Sequence, residues 1–91
     1  MKLEEYREKI DAVDEKLIAL FAERMELSRA IAEYKKENGL PVLDASRETE
    51  KLRRVVEQSP AELREYTRRL YALLFELSRD YQRELIGKER G

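Results

Sequence analysis

The 91-residue sequence contains neither cysteine nor histidine. Their absence excludes disulfides, thiol nucleophiles, imidazole bases and the commonest zinc ligand sets. The sequence also lacks any run that approaches the roughly 20 apolar residues of a membrane span. Its first residues, MKLEEYREKI, have no apolar signal core. We therefore expect a cytoplasmic protein with no targeting segment and no membrane partner.

An excess of charge of either sign is also missing. Charged residues make up 43% of the chain, but 19 basic residues nearly balance 20 acidic ones. Binding to nucleic acid usually needs a basic excess on one face, so we expect no nucleic-acid partner and only a local anion site. We expect a single domain over residues 1–91, small enough that chains are expected to associate.

The predicted fold is all-α, with a long, a short and a second long helix. The first helix covers about residues 3–38 and ends at Asn38-Gly39, which is typical of a left-handed cap, with Pro41 just beyond. About 36 residues at 1.5 Å each give a helix of roughly 54 Å, longer than a compact monomer of this size requires. Such a helix needs a partner along its length.

The other two predicted helices are marked by their first residues. The second covers about residues 45–57 and is begun by Asp44 or Ser46. The third covers about residues 60–86, because Ser59-Pro60-Ala61-Glu62 is typical of a capping box with proline at the first helical position. The tail GKERG is expected to fray.

One arginine of the first helix occupies an unusual position. Apolar or large side chains recur there in steps of three and four, which marks one helix face: Leu3, Tyr6, Ile10, Val13, Leu17, Leu20, Leu27, Ile31 and Tyr34. Arg24 fills the slot between Leu20 and Leu27. A guanidinium there is costly unless its charge is satisfied, and no acidic residue occupies a matching position. We therefore predict that Arg24 meets an anion from outside the chain.

Further polar residues extend this prediction. Lys35 lies eleven residues after Arg24, so both side chains point the same way across roughly 16 Å and could hold one small ligand. In the third helix Ser78 and Gln82 are one turn apart and prolong an apolar row. A charged cluster lies at the start of the second helix, whose free amides can bind polar ligands: Asp44, Arg47 and Glu48.

Three stretches of the sequence, taken together and at this spacing, resemble the all-helical AroQ class of chorismate mutases over nearly the whole chain. They are YREKIDAVDEKLIALFAERMELSRAIAEYKK, GLPVLDASRETEKL and ELSRDYQ. The resemblance implies an intertwined homodimer of three-helix subunits in which the long helices pair. Its two equivalent active sites would convert chorismate to prephenate in the biosynthesis of phenylalanine and tyrosine.

The resemblance also implies roles for single residues. Arg24 would pair with a substrate carboxylate, Lys35 would reach a carboxylate and the ether oxygen, and Gln82 would donate to that oxygen. Ser78 would lie beside a carboxylate. Asp44 and Glu48 would hold the ring hydroxyl, partly through backbone groups, and Arg47 would help to shape the polar end of the pocket.

Arg7 matches an arginine that the family uses near the start of its first helix. Seventeen residues separate Arg7 from Arg24, which is about 25 Å along one helix. Arg7 can therefore meet that site only from another subunit.

The implied reaction is an intramolecular pericyclic rearrangement, which requires no nucleophile, metal, cofactor or proton transfer. A chain without cysteine and histidine loses nothing for such chemistry. Clamping both carboxylates would hold the substrate in its reactive chair-like shape. Fixed donors at the ether oxygen would stabilise the negative charge that gathers there as the bond lengthens.

Each of these residues also has a structural interpretation. Arg24 could snorkel or form an ion pair, and Lys35 could be a solvated helix end. Asp44 could serve only as an N-cap, while Ser78 and Gln82 could hydrogen-bond across helices. Arg47 and Glu48 could be surface charges, and Arg7 alone is almost uninformative. The joint match of all of them to one pocket favours the site.

Two other functions stay open. The nearer is a lyase on the same scaffold that removes pyruvate from isochorismate, and the farther is a noncatalytic helical interaction or regulatory module. Some relatives have a basic residue where this chain has Leu43, so we assign that position no ligand role. We expect no fused dehydratase, dehydrogenase or aldol-type synthase domain within this chain, although the chain could be a piece cut from such a fused enzyme. The lack of cysteine argues against the secreted, disulfide-bearing subclass.

Overall fold

A computed structural model describes residues 2–90, with side chains for residues 2–87. It contains four helical elements and, within that range, no strand: α1 (Lys2–Glu37), α2 (Ala45–Gln58), a short 3-10 helix (Ala61–Leu63) and α3 (Arg64–Arg90). The prediction of an all-α chain with long, short and long helices is therefore confirmed. α3 packs against both α1 and α2. Over the same range, no helix is both long and apolar enough to cross a membrane.

A left-handed glycine ends α1, as the sequence predicts. Gly39 has φ +65°, and its amide donates to the carbonyl of Lys36 at 3.4 Å. The amide of Leu40 donates to the carbonyl of Lys35 at 2.8 Å. These two bonds form a Schellman motif. The cap therefore fixes the backbone of Lys35 in the last turn of α1.

Asp44, rather than Ser46, begins α2. Its Oδ1 accepts a hydrogen bond from the amide of Arg47 at 3.0 Å, and its carbonyl accepts one from the amide of Glu48 at 3.1 Å. The side chain thereby satisfies one of the amides that a helix leaves unpaired in its first turn. This cap also sets the direction in which the first turn of α2 presents its side chains.

The junction between α2 and α3 differs from the predicted capping box. Ser59 ends α2, and its hydroxyl bonds the carbonyl of Val55 at 2.9 Å and the hydroxyl of Thr67 at 2.7 Å. It is therefore not used as a cap for the amides that follow. Pro60 precedes a 3-10 helix instead of opening an α-helix. α3 continues to Arg90, beyond the predicted end at about residue 86, and Gly91 lies outside the described residues.

Few side chains are buried within a single chain. The described residues bury the apolar side chains of Ala32, Val55 and Phe75, together with the polar side chains of Ser28 and Gln82. By contrast, every residue from 2 to 23 is exposed. The apolar face that the sequence predicts along α1 is therefore left uncovered.

The shape of the chain agrees with this exposure. It measures 55 × 27 × 14 Å, and its longest dimension is close to the roughly 54 Å length of the 36-residue helix α1 alone. The Cα radius of gyration is 16.5 Å, compared with about 13 Å for a compact domain of 100 residues. The three helices thus form a thin, elongated layer with little core of its own.

We expect Gly39→Ala to lower the free energy of unfolding by about 1–2 kcal/mol, because an L side chain is strained at φ +65°. Space is not the cause, since an added Cβ meets no atom within 4 Å. Gly87→Ala is the matched control: it also has space, lies inside α3 and should stabilise by about 0.5–1 kcal/mol. Urea unfolding of both variants measures the difference, and shifts of the same sign would contradict this prediction.

Candidate active site

A cleft of about 470 Å³ lies where α1, α2 and α3 meet, a size within the roughly 300–1,000 Å³ typical of small-molecule sites. Five cationic side chains but only two carboxylates line it, although the chain as a whole carries a net charge of −1. The cleft therefore has a local excess of positive charge, as the expected anion site requires. Seven of the eight predicted site residues line it: Arg24, Lys35, Asp44, Arg47, Glu48, Ser78 and Gln82.

Arg24 is half-buried in one wall of the cleft. Its Nη1 donates to Ser78 Oγ at 2.7 Å, and its Cζ lies 5.9 Å from the centre of the Phe75 ring. Among the described residues no carboxylate forms an ion pair with it. A guanidinium has five N–H donors, so most of its binding capacity and its whole charge are available to an anion in the cleft.

Lys35 presents the second unneutralised cation. Its Nζ donates to the carbonyl of Val42 at 2.6 Å, and in the described part of the chain it too lacks a carboxylate partner. An ammonium has three donors, so two remain after this bond. Because the Schellman motif at Gly39 holds the backbone of Lys35, the end of α1 positions this charge at the cleft.

Gln82 is the most buried polar residue of the predicted site, with 6% of its surface exposed. Its Nε2 donates to the carbonyl and the hydroxyl oxygen of Ser28, at 3.1 and 3.0 Å. Its Oε1 is buried and has no partner among the described residues. To donate to a ligand, the amide must share or leave its contacts with Ser28, and the unpaired oxygen lowers the cost of such a rotation.

The acidic end of the cleft is made by α2. Asp44 is occupied as the N-cap, while the amide that it caps belongs to Arg47, an exposed residue at the rim. Glu48 is half-buried, and both of its carboxylate oxygens accept from Nη1 of Arg79, at 2.5 and 2.6 Å. Asp44 is therefore both the N-cap of α2 and a residue that lines the cleft.

Arg7 is the predicted site residue that the cleft does not include. It lies in the exposed first part of α1 and forms an ion pair with Glu4, at 3.0 Å between Nη1 and Oε1. Seventeen residues of the same helix separate it from Arg24, which is about 25 Å. Within one chain, Arg7 cannot reach the cleft.

Three further polar residues, which were not predicted from the sequence, also line the cleft: Ser28, Lys51 and Arg79. Helical spacing along α1 would have predicted Ser28, because it lies one turn after Arg24 on the same face. Lys51 lies one turn after Arg47, by the same rule. The position of Arg79 depends on how α3 packs against α2, so helical spacing does not predict its partner.

The charges and hydrogen-bond donors of the cleft can hold a small dianion. Binding of this kind needs neither a metal ion nor a nucleophilic side chain. Arg24 and Lys35 offer positive charge that no described carboxylate neutralises, and Gln82 offers a side-chain amide whose oxygen has no hydrogen-bond partner among the described residues. The carboxylate of Glu48 offers acceptors for a hydroxyl group. Such a set of fixed charges and donors is suited to bind, orient and polarise an anionic ligand.

Comparison with known proteins agrees with this chemistry. Residues 6–83 match the family described as chorismate mutase type II. The chain is 47% identical over 47 residues to the chorismate mutase of Methanocaldococcus jannaschii, covering 52% of this chain and 48% of that protein. It is 40% identical over 82 residues to the bifunctional chorismate mutase/prephenate dehydratase of Escherichia coli (strain K12), covering 88% of this chain and 21% of that protein. The chain thus spans about half or less of the length of these relatives.

Proposed function

This chain belongs to the type II chorismate mutase family, the AroQ class that its sequence resembles, and we propose that it converts chorismate to prephenate in aromatic amino-acid biosynthesis. The observation that carries the proposal concerns two of the five cations that line the cleft: Arg24 and Lys35 have no ion pair with a described carboxylate. Chorismate is a dianion with two carboxylates and a ring hydroxyl. Its charges match the free cations, and its hydroxyl matches the acidic end of the cleft.

The first part of the proposed mechanism is confinement. Arg24 binds one carboxylate and Lys35 reaches the other, so the enolpyruvyl side chain is held over the ring. The rearrangement forms a carbon–carbon bond as the ether carbon–oxygen bond breaks within the same molecule. Holding these reacting ends together supplies rate because the unbound substrate seldom adopts the reactive shape.

The second part is electrostatic. Negative charge gathers on the ether oxygen as the carbon–oxygen bond lengthens. Lys35 and Gln82 donate to this oxygen, and they bind it more strongly in the transition state than in the ground state. Gln82 reaches this role by rotating its amide, which exchanges a contact with Ser28 for one with the substrate. Each roughly 1.4 kcal/mol of preference for the transition state is worth about tenfold in rate.

The functional unit that we propose is a homodimer in which Arg7 completes the partner's site. The exposure of every residue from 2 to 23 supports this unit. The apolar face of α1 recurs in alternating steps of three and four, the pattern by which two helices pair along a seam. A second copy of the chain would cover that seam and bring its own Arg7 to the cleft.

Mixing two inactive variants tests the shared site. With Arg7→Ala and Arg24→Ala chains at equal concentration, random exchange gives about half hybrid dimers, each with one intact site. We therefore expect each variant alone to be nearly inactive and the mixture to recover about a quarter of the wild-type activity. Chorismate turnover after incubation, with subunit exchange followed by mass spectrometry, measures this recovery.

The matched control mixes Arg24→Ala with Lys35→Ala. Because both residues line the same cleft of one chain, no hybrid contains an intact site, and no activity should return. Recovery in this control, or none in the first mixture despite proven exchange, would contradict the shared site.

Product analysis tests the reaction itself. Chorismate loss is followed by ultraviolet absorbance, and the product is identified by chromatography. We expect prephenate. Formation of salicylate and pyruvate from isochorismate, without prephenate from chorismate, would indicate the lyase, and no turnover by a folded protein would indicate a noncatalytic module. The cytoplasmic location stays a prediction, which fractionation of the source cells would test.

A further inference from the structure

Arg79 makes a contact that the proposed mechanism does not use. It lies on α3 between Ser78 and Gln82, and its Nη1 lies 2.5 Å from Oε1 and 2.6 Å from Oε2 of Glu48 on α2. Both side chains are only 25% exposed, and both line the cleft. The pair therefore joins two helices at the wall of the site.

This pair differs from the other ion pairs of α2. Arg53 and Glu57 also bond at 3.0 Å, but their side chains are 57% and 61% exposed, and they lie one turn apart on a single helix. Exposed pairs of that kind contribute little because water screens them. Glu48 and Arg79 are 31 positions apart, and water is partly excluded from both. Their charges consequently act on each other, and on any ligand in the cleft, with less screening.

An unpaired Glu48 would oppose the ligand. A carboxylate beside a dianion repels it, and the second carboxylate of the cleft, Asp44, adds to this repulsion. One nitrogen of Arg79 contacts both oxygens of Glu48, which places the guanidinium charge directly against the carboxylate and holds the carboxylate at the wall of the cleft. A carboxylate has about four lone-pair sites, so Glu48 keeps acceptors for a hydroxyl donor.

We propose that Arg79 is a positioning residue: it neutralises and orients Glu48 so that this carboxylate accepts the ring hydroxyl of chorismate without repelling the carboxylates of the substrate. The inference rests on the proposed function, and it adds a residue that acts through Glu48 and not on the substrate. Loss of Arg79 should therefore weaken substrate binding more than it slows the bound substrate.

A double-mutant cycle tests this role. We expect Arg79→Met to raise KM for chorismate by about tenfold or more, with a smaller change in kcat, because an unpaired, partly buried charge is left beside the ligand. Arg79→Lys keeps the charge and should retain KM within about threefold of the wild type. In the Glu48→Gln background, where no carboxylate needs neutralising, Arg79→Met should change KM by less than about threefold.

The controls separate the possible failures. Arg83→Met removes an exposed arginine outside the cleft on the same helix and should leave KM unchanged, and thermal unfolding shows that each variant is folded at the assay temperature. An undiminished effect of Arg79→Met in the Glu48→Gln background would overturn the proposal, because Arg79 would then contact the substrate directly. A lower unfolding temperature with unchanged KM would also overturn it. A wild-type protein without turnover would instead refute the proposed function.

Discussion

Replacing Arg24 or Lys35 by alanine is expected to lower kcat/KM for chorismate by about 10²–10³-fold, the loss that follows removal of one fixed donor from a preorganised site. Arg24 binds a substrate carboxylate, so its loss should appear in both KM and kcat. Lys35 also donates to the ether oxygen in the proposed mechanism. Its loss should therefore also appear in both constants but lower kcat more than the loss of Arg24 does, because the contact with the ether oxygen is strongest in the transition state.

Stability should change much less than activity. Arg24→Ala removes the bond to Ser78 and the contact with the Phe75 ring, but it also removes a half-buried charge without a carboxylate partner. We expect these effects to leave the free energy of unfolding within about 1 kcal/mol of the wild type.

A matched control accompanies both alanine variants. Arg29→Ala removes an exposed arginine of α1, paired with Glu33 at 3.8 Å, and should leave activity unchanged because such surface pairs contribute little. Steady-state kinetics and urea unfolding of the three variants provide the comparison. Full activity in both Arg24→Ala and Lys35→Ala would remove the clamping mechanism.

The features of the fold that could be predicted are those that depend on neighbouring residues. The left-handed cap at Gly39 follows from a local backbone preference, and the length of α1 follows from its repeating apolar face. The prediction of a capping box at Ser59 is wrong because the hydroxyl has other partners: the carbonyl of Val55, one turn earlier, and the hydroxyl of Thr67 on α3. The bond to the carbonyl of Val55 is a local alternative for serine, whereas the contact with Thr67 depends on how α2 and α3 pack.

The candidate site also has features that the sequence predicts and contacts that it does not. The spacing of Arg24 and Lys35 along α1 predicts that they face one direction, and both line the cleft. The contacts that hold the site together join different helices, such as Gln82 to Ser28 across 54 positions. A helical period indicates the direction of a side chain but not its partner on another helix, so these contacts required the packing of α3. The ligand roles of the site residues stay predictions.

Gln82→Glu is expected to move the activity optimum toward acid and to lower kcat/KM near neutral pH by about 10²-fold or more. The replaced side chain is 6% exposed and lies 3.1 Å from the carbonyl of Ser28. Burial and this carbonyl disfavour an ionised carboxyl, whereas the cations Arg24 and Lys35 of the same cleft favour one. We expect burial to dominate, so the pKa of the introduced glutamate should be raised above its ordinary value of about 4.3. Only the protonated form can donate to the ether oxygen.

The stability of the Gln82→Glu variant should change with pH in the same direction as its activity. A carboxyl with a raised folded-state pKa binds its proton more tightly in the folded chain than in the unfolded one. Its favourable contribution is complete below the unfolded pKa and is lost as pH rises through the folded one. Both kcat/KM and the unfolding temperature of Gln82→Glu should therefore fall with rising pH, whereas the wild-type amide does not titrate.

Measurements of kcat/KM and thermal unfolding between about pH 4.5 and 8 test this expectation. Gln82→Met is the matched variant, because it removes the donor without adding a titrating group and should be slow at every pH. An acid-activated Gln82→Glu beside a uniformly slow Gln82→Met identifies a proton donated at this position as the catalytic requirement. Full activity of Gln82→Glu with the wild-type pH profile would instead leave Lys35 as the donor to the ether oxygen and reduce Gln82 to its bond with Ser28.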